Sequence, residues 1–288
     1  MRYQIFADAG GTSVKWLVTN LTTGQSYRFP SPGISPIYMD EASLLRNIES
    51  ALPSESFRSK VILIEFYGSG CGTDQAPDRI RNTLQTLFPA AELRIDSDMV
   101  GAAHALWGNA SGTVAIIGTG SNAGYYDGET VHYARPSLGY FLGDEGSAVW
   151  LVRHLLHDWL YGLLPPPLAT ALYAEYGAKL GLEVQGNGFR SIAPLILPIY
   201  QAERPQRFLA SFAPFLSAHI DHPYCTQLLQ KGMEAFVTTL VLPNLPKDRH
   251  KLKAVGSIAY FFREALEQAC AQHNIALQDV KEDALPST

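Results

Sequence analysis

The sequence predicts an α/β protein that contains two similar halves. Two runs of short strands joined by glycine turns, one beginning at residue 3 and one at residue 113, indicate the duplication. Each run is followed by strand and helix patterns, which is typical of α/β proteins. The 288 residues also suit two domains, since a domain has roughly 100 to 200 residues. We therefore expect an N-terminal domain over residues 1–110, a C-terminal domain with a helical insertion over residues 111–288, and a cleft between them.

The first half has the pattern of a β-meander followed by alternating helices and strands. Glycine turns separate the first three strands, and apolar residues at helical spacing mark the helices. Its strands are predicted at Tyr3–Ala7, Val14–Asn20, Gln25–Phe29, Val61–Phe66 and Glu92–Ile95, and its helices at Glu41–Leu52 and Asp78–Phe88.

The second half repeats the meander and then becomes mostly helical. Strands are predicted at Thr113–Ile117, Ala123–Tyr126, Thr130–Ala134 and Lys251–Val255, and helices over 147–163, 167–181, 205–219, 223–241 and Ser257–His273. About 15 residues follow the last predicted helix.

The composition excludes several classes of protein. Hydrophobic residues make up 47% and charged residues 17% of the chain, so a large core is expected and disorder is excluded as the main state. The net charge of −5 disfavours an extended nucleic-acid or anionic-membrane surface. The uncharged stretch Met99–Tyr126 contains Gly, Ser and Asn throughout, which indicates a helix, a turn and a strand rather than a membrane span. The three cysteines form no CxxC pair, so the cytoplasm is the expected compartment.

Two glycine hairpins are the first candidate for chemistry. Asp8-Ala9-Gly10-Gly11-Thr12 joins the first two strands; its amides and the Thr12 hydroxyl can face phosphate oxygens, and Asp8 can hold Mg²⁺ through water. An ordinary hairpin turn is the alternative for this string alone. Ile117-Gly118-Thr119-Gly120-Ser121-Asn122 repeats the arrangement in the second half. Two such hairpins on duplicated halves predict a nucleotide held between them.

Two further positions add to this prediction. Val255-Gly256-Ser257-Ile258 leads from a strand into a helix, where an adenine or ribose can lie against the backbone, although Ser257 can also act simply as a helix cap. Asp98 follows the strand Glu92–Ile95 where the two halves meet. It is either an N-cap or a carboxylate that faces the γ-phosphate and accepts a proton from a substrate hydroxyl.

Together with Leu142-Gly143-Asp144-Glu145-Gly146-Ser147-Ala148, these motifs resemble the N-acetylglucosamine kinases of the BadF/BadG/BcrA/BcrD ATPase family. The resemblance extends from about residue 3 to about residue 273, and the Gly-Asp-Glu-Gly-Ser string is its most specific part. It implies an α/β fold with two ribonuclease-H-like (actin-like ATPase) domains that close on ATP. Relatives usually have a terminal helix that returns to the first domain. The residues after the last predicted helix of this chain are few for such a helix, although they can still return to the first domain.

The resemblance implies ATP and Mg²⁺ as cofactors. The positions that match the nucleotide motifs are Asp8, Gly10, Gly11, Thr12, Gly118, Thr119, Gly256 and Ser257. The resemblance implies that the hairpin residues contact phosphates and that Asp8 lies near the metal. It also implies that Gly256 and Ser257 contact adenosine. Tyr260 lies one helical turn beyond Ser257 on a similar face.

The resemblance also implies Asp98 as the general base and a sugar pocket. The positions that match this pocket are Ser35, Gly70, Ser121, Asn122, Gly139 and Asp144. Asp144 is implied to accept hydrogen bonds from sugar hydroxyls, but it can also form the acidic N-terminus of the helix that follows. Ser35 replaces an asparagine of the family, with a shorter reach and one donor instead of two.

The expected function is therefore Mg²⁺- and ATP-dependent phosphorylation of an amino sugar, with N-acetylglucosamine converted to its 6-phosphate. Relatives suggest a homodimer. One alternative is an ATPase that activates a redox enzyme, although such proteins use paired cysteines to hold a cluster, and Cys71, Cys225 and Cys270 offer no adjacent pair. The other alternative is a non-catalytic sensor of a sugar or nucleotide.

Overall fold

The two halves form two five-stranded sheets with the same strand arrangement. The computed structural model describes residues 1–37, 39–52, 54–72, 75–180, 198–202, 204–247 and 250–286. The first sheet has the order β3-β2-β1-β4-β5 and the second the order β8-β7-β6-β9-β10. In each sheet an antiparallel meander is extended by two parallel strands. This repetition confirms the α/β class and the predicted duplication.

The first sheet and its helices occupy the N-terminal part of the chain. Its strands are β1 (Tyr3–Ala9), β2 (Ser13–Asn20), β3 (Ser26–Pro32), β4 (Val61–Gly68) and β5 (Glu92–Ser97), and its helices are α1 (Glu41–Ala51), α2 (Glu55–Arg58), α3 (Ala76–Leu87) and α4 (Asp98–Trp107). One face buries Trp16 and Phe66 against α1 and α3, whose apolar residues Ile48 and Ile80 have no exposed surface. The periodicity of the sequence therefore predicted this core correctly.

The second sheet carries a larger set of helices. Its strands are β6 (Gly112–Ile117), β7 (Ser121–Tyr126), β8 (Val131–His132), β9 (Lys251–Val255) and β10 (Ala276–Lys281). Its helices are α5 (Gly139–Leu142), α6 (Ala148–Leu160), α7 (Pro166–Tyr176), α8 (Pro205–Ala210), α9 (Pro214–Ala218), α10 (Pro223–Phe236), α11 (Ser257–Phe261) and α12 (Arg263–Gln272), with a π-helix at Val237–Val241 and short 3₁₀ helices at Ala178–Leu180 and Leu242–Asn244. The helices pack around one large core in which Phe212, Phe215 and Phe236 are fully buried.

Several predicted elements differ from the observed ones. The strand predicted at Thr130–Ala134 is reduced to two residues, and the helix predicted over 205–219 is divided where Pro214 opens α9. The helix predicted at Ser257–His273 breaks at Phe262, because this buried residue leaves helical geometry, with φ −113° and ψ 32°. The predicted helix 167–181 ends early, at 176, and residue 181 lies outside the described residues. The predicted helix 223–241 is α-helical to 236 and continues as a π-helix to 241.

The structure also contains a strand that the pattern did not predict. β10 lies at the edge of the second sheet, parallel to β9, and buries only one of its six residues fully. In the described part of the chain, the structure contains no helix that is long and apolar enough to span a membrane.

Candidate active site

The two predicted phosphate hairpins face each other directly. The hydroxyl groups of Thr12, in the β1–β2 turn, and Thr119, in the β6–β7 turn, are 2.8 Å apart and share a hydrogen bond. At Gly11 and Gly118 no heavy atom would lie within 4 Å of an added Cβ, so the space beside both backbones is open. The duplicated sheets therefore bring together the two glycine turns that the sequence singled out, with room for a ligand.

Close backbone packing shapes the first hairpin. The amide of Gly10 donates to the carbonyl oxygen of Ser13 at 3.0 Å, and the amide of Gly33 donates to Thr12 at 3.0 Å. A Cβ on Gly33 would lie 2.3 Å from the carbonyl oxygen of Gly11, so only glycine fits there. This contact holds the loop that contains Ser35 against the hairpin.

The second hairpin is attached to the start of α6. The amides of Ala148 and Val149 donate to the carbonyl oxygens of Gly118 and Thr119 at 2.9 and 3.2 Å. Helix N-termini have free amides, and here the hairpin accepts their hydrogen bonds. Ser147 caps the helix by accepting from Trp150 at 3.2 Å. The Gly-Asp-Glu-Gly-Ser string thus ends in the cap that positions the hairpin.

Asp98 begins α4, where the first half of the chain meets the second. The cap of this helix is Ser97, whose hydroxyl accepts from Val100 at 3.3 Å, so the capping interpretation of Asp98 is wrong. Burial raises the pKa of the Asp98 carboxyl from 3.8 to about 6, and the negative charge of Asp8 contributes to the rise. The amide of Met99 and the hydroxyl of Ser69 donate to this carboxylate and oppose the shift. At neutral pH Asp98 is ionised and can accept a proton.

Residues 282–286 return to the first sheet as a segment that is neither helix nor strand. The amide of Ala284 donates to Asp8 Oδ2 at 3.1 Å, and Asp283 lies 3.4 Å from the Lys15 ammonium. Leu285 is 5% exposed and packs with Phe6 and other apolar side chains of the first half. Burial raises the pKa of Asp8, while the bond from Ala284 opposes that rise. The C-terminal segment therefore holds the carboxylate that was predicted to lie near the metal.

Replacing Ala284 by proline tests this contact, because proline has no amide hydrogen to donate. We expect the affinity for Mg²⁺ with ATP to fall by about tenfold, since a hydrogen bond to a charged group contributes roughly 1.5–3 kcal/mol. The matched control is Ala284→Gly, which keeps the amide. Calorimetric titration of both variants checks this; equal affinities for the two would contradict the role of the amide.

On the first half, Ser35 and Gly70 lie on loops that touch each other. Gly70 has φ +86°, and a Cβ there would lie 2.7 Å from Ile37 Cδ1. The amide of Ser69 donates to the carbonyl oxygen of Ala9 at 2.8 Å, which joins the same turn to the end of β1. Because Ser69 also contacts Asp98, these two predicted sugar positions lie on the side of the site where the carboxylate is found.

On the second half, Ser121 and Asp144 line a small cavity of about 130 Å³, whose other lining residues include Arg135, Leu138 and Glu145. Asp144 has φ +58°, and its carboxylate oxygen would lie 2.7 Å from a Cβ on Gly120. Burial raises its pKa to about 6, opposed by a hydrogen bond from the Ser121 amide. Asp144 is outside the first turn of α6, which contains no acidic residue, so its interpretation as the acidic helix terminus is wrong.

For the remaining predicted sugar positions the structure shows mainly local contacts. The hydroxyl of Ser121 donates to the carbonyl oxygen of Glu145 at 2.7 Å, and the side chain of Asn122 accepts from the adjacent Ala123 amide at 2.9 Å. Gly139 begins α5 with φ +66°. Neither Asn122 nor Gly139 is among the lining residues of the cavity that contains Asp144.

Gly256 lies against the strand that leads into the second hairpin. Its φ of +118° is accessible mainly to glycine, and a Cβ would lie 2.3 Å from the carbonyl oxygen of Ile117. The amide of Gly256 donates to Lys281 at 3.0 Å. Gly256 is itself the cap of α11, so the interpretation of Ser257 as the cap is wrong; Ser257 and Tyr260 are exposed. The predicted adenosine and phosphate motifs are therefore neighbours.

The sequence did not single out Tyr133 or Ala284 for the site. Tyr133 follows β8 of the second sheet, yet its phenol lies near Ser97 and Asp98 of the first half, and burial together with the charge of Asp98 raises its pKa to about 12. A tyrosine after a two-residue strand has no sequence signal of its own. Only the packing of the two halves shows this proximity.

The residues present fit ATP with a divalent cation. Asp8 and Asp98 are buried carboxylates whose negative charges repel each other. A bound cation relieves such repulsion. Among the described residues, no three His, Cys, Asp or Glu side chains form a metal cluster. A Mg²⁺ ion at Asp8 would therefore take its other ligands from phosphate oxygens and water, as this ion commonly does.

The two sheets, the facing hairpins and the cleft define a two-domain protein of the actin-like ATPase fold. A proposed N-acetylglucosamine kinase from Porphyromonas gingivalis is 31% identical to the chain, with a TM-score of 0.81 over 100% of this chain and 95% of that one. The chain belongs to the family of that protein, the sugar kinases with the actin-like ATPase fold.

Two more distant structures share the fold. A proposed N-acetylglucosamine kinase from Chromobacterium violaceum is 19% identical, with a TM-score of 0.72 over 99% of this chain and 96% of that one. A ROK-family glucokinase from Streptomyces griseus, in complex with glucose and AMPPNP, is 13% identical, with a TM-score of 0.53 over 99% and 95% of the two chains. No family model and no curated protein matches the chain.

Proposed function

We propose that the chain is an ATP-dependent amino-sugar kinase of the BadF/BadG/BcrA/BcrD type that converts N-acetylglucosamine to N-acetylglucosamine 6-phosphate. The observation that carries this proposal is the placement of Asp98 beside Asp8, on the same side of the cleft as a glycine hairpin whose Thr12 touches Thr119 of the opposite hairpin. A buried base beside two phosphate-binding turns is the arrangement that phosphoryl transfer to a hydroxyl requires.

In the proposed reaction, Asp98 accepts the proton of the sugar hydroxyl as its oxygen attacks the γ-phosphorus of ATP. The new bond joins that oxygen to phosphorus, and the bond from phosphorus to the ADP oxygen breaks. Amides of the hairpins that contain Thr12 and Thr119 stabilise the negative charge on the transferred group. Bound Mg²⁺ supplies further neutralisation of phosphate charge, and Asp8 would hold it.

The choice of an amino sugar depends on the sugar side of the cleft and on the relative from P. gingivalis, whose name assigns it to N-acetylglucosamine. Asp144, held against Gly120 with a raised pKa, would accept hydrogen bonds from sugar hydroxyls. Ser35 lies on the loop next to the first hairpin and would contact the sugar from the opposite side. Its single hydroxyl would make fewer hydrogen bonds than an asparagine amide.

The test is ATP consumption with Mg²⁺ against N-acetylglucosamine, glucosamine, N-acetylmannosamine, N-acetylmuramic acid, glucose and no sugar. We expect stimulation by N-acetylglucosamine above all other sugars. Hydrolysis that is equal with and without sugar would instead indicate an ATPase activator. ATP binding without turnover would indicate a sensor, and either result would overturn the kinase.

The cysteines disfavour the redox activator. Cys71, Cys225 and Cys270 are buried, and burial raises the pKa of their thiols to about 12, 11 and 12. Metal clusters are held by thiolates, which these environments disfavour. Absorbance near 400 nm in protein purified without oxygen would contradict this conclusion.

A further inference from the structure

An open cavity of about 500 Å³ lies between the first half of the chain and helix α8, which belongs to the helical insertion. Its lining residues are Pro32 and Asn47 from the first half, and Arg204, Arg207, Phe208 and Ser211 from the insertion. None of these residues belongs to the nucleotide or sugar positions described above. The volume is in the range of roughly 300–1,000 Å³ that is typical of small-molecule sites.

The wall of this cavity that belongs to the insertion is strongly positive. Arg204 and Arg207 are three positions apart, and Lys179 donates to the hydroxyl of Ser211 on the same wall. Among the residues that the structure describes, none that lines the cavity is acidic, and no ion pair joins either arginine to a carboxylate. In a chain with a net charge of −5, such a concentration of unneutralised cations indicates an anionic ligand.

The contacts of Arg204 connect the cavity with the first hairpin. Its Nη1 donates to the carbonyl oxygens of Gly33 at 2.9 Å and Gly11 at 3.4 Å, and its Nη2 donates to Met39 Sδ at 3.1 Å. All three acceptors are neutral, so they orient the guanidinium without cancelling its charge. Arg207, one turn further along, is exposed, so its guanidinium group is accessible to a ligand.

We propose that this cavity binds a phosphorylated sugar, with the phosphate held by Arg204 and Arg207. The planar guanidinium matches the geometry of phosphate oxygens, and two of them form a strong anion site. Phe208 and Pro32 offer apolar surface to a sugar ring, and the Asn47 amide can donate to or accept from its hydroxyls. The choice of a sugar phosphate as the ligand rests on the proposed function, because a sugar phosphate is the product of that reaction. The prediction that the cavity binds an anion does not depend on the proposed function.

Occupation of the cavity would affect the active site through Arg204. A phosphate that attracts this guanidinium would compete with its bonds to Gly11 and Gly33, which hold the first hairpin and the loop of Ser35 together. The product would then inhibit the kinase from outside the sugar pocket, and the inhibition would not be relieved by excess sugar.

The test is calorimetric titration of the full chain without ATP, with saturating N-acetylglucosamine present so that the sugar pocket is filled. N-acetylglucosamine 6-phosphate, inorganic phosphate and the carboxylate N-acetylmuramic acid are titrated separately. We expect the sugar phosphate to bind most tightly, and Arg207→Gln to weaken it about tenfold or more. Arg81→Gln, at an exposed arginine of α3 outside the cavity, is the matched control and should leave the affinity unchanged.

The outcomes separate this proposal from the proposed function. Unchanged affinity in Arg207→Gln would overturn the site, and tighter binding of inorganic phosphate or of the carboxylate would overturn the sugar phosphate as its ligand. A chain that binds the sugar phosphate in an Arg207-dependent manner but transfers no phosphoryl group would support the cavity while contradicting the kinase. Because the titration needs no turnover, the two failures are distinguishable.

Discussion

Asp98→Asn is expected to lower phosphoryl transfer by about 10²- to 10⁴-fold, the usual contribution of a general base. The amide keeps the shape of the side chain but cannot accept the hydroxyl proton. The affinity for ATP should remain within about twofold, because Asp98 is assigned to the sugar hydroxyl and not to the nucleotide. Turnover and calorimetric ATP binding, measured on the same preparation, check both parts.

The raised pKa of Asp98 gives this variant a second signature. The pKa of the Asp98 carboxyl is about 6 in the folded protein, and its ordinary value is 3.8. The protonated carboxyl therefore stabilises the fold fully below pH 3.8, and this contribution is lost as the pH rises through 6. We therefore expect Asp98→Asn to be at least as stable as the wild type at pH 7, with the difference disappearing near pH 4. In the wild type, activity should fall as the pH decreases through about 6, when the base becomes protonated.

The matched control is Asp96→Asn, which removes an exposed carboxylate two residues earlier on β5. Its turnover should stay within about twofold of the wild type, since ordinary surface substitutions have small effects. If Asp98→Asn retained wild-type turnover, or if Asp96→Asn lost as much, Asp98 would not be the base.

Gly256→Ala has the second-largest expected effect. The new Cβ would lie 2.3 Å from the carbonyl oxygen of Ile117 in a backbone conformation with φ +118°. Such a conformation costs a non-glycine residue about 1–3 kcal/mol, and the collision forces β9 and the start of α11 away from the second hairpin. We expect the affinity for ATP to fall by about tenfold or more and the Tm to decrease, as measured by calorimetry and thermal unfolding.

Gly162→Ala is the control that separates the effect of backbone strain from the effect of the collision between Cβ and Ile117. Gly162 also has a positive φ, +70°, but no heavy atom would lie within 4 Å of its added Cβ. It should lower the Tm modestly and leave ATP affinity unchanged. Equal losses of affinity in the two variants would show that the position of Gly256 beside Ile117 has no special role.

The local signals in the sequence predicted the strands and helices that have strong periodicity. Trp16 and Phe66 lie on strands predicted at Val14–Asn20 and Val61–Phe66, and Ile48 and Ile80 lie on helices predicted from their helical spacing; all four are in the core of the first half. β10 was missed because an edge strand that fully buries only one of its six residues has little apolar alternation to detect. The division of the last helix at Phe262 was missed because tertiary packing overrides local propensity there.

The candidate site was predictable where it lies on hairpins, and unpredictable where distant segments meet. The glycine strings that contain Thr12 and Thr119 are visible as local patterns, and the duplication places them opposite each other. The contact of Ala284 with Asp8 joins residues that are 276 positions apart, and nothing in either segment marks it. The approach of Arg204 to Gly33 has the same origin, with a separation of 171 positions.

The most direct test of the account is detection of the product. Purified protein is incubated with Mg²⁺, ATP and N-acetylglucosamine, and the reaction is followed by phosphorus NMR together with mass spectrometry. We predict that ADP and N-acetylglucosamine 6-phosphate accumulate in equal amounts, and that both are absent with Asp98→Asn. Formation of ADP and inorganic phosphate without any sugar phosphate would contradict the assignment of this cleft as a sugar kinase.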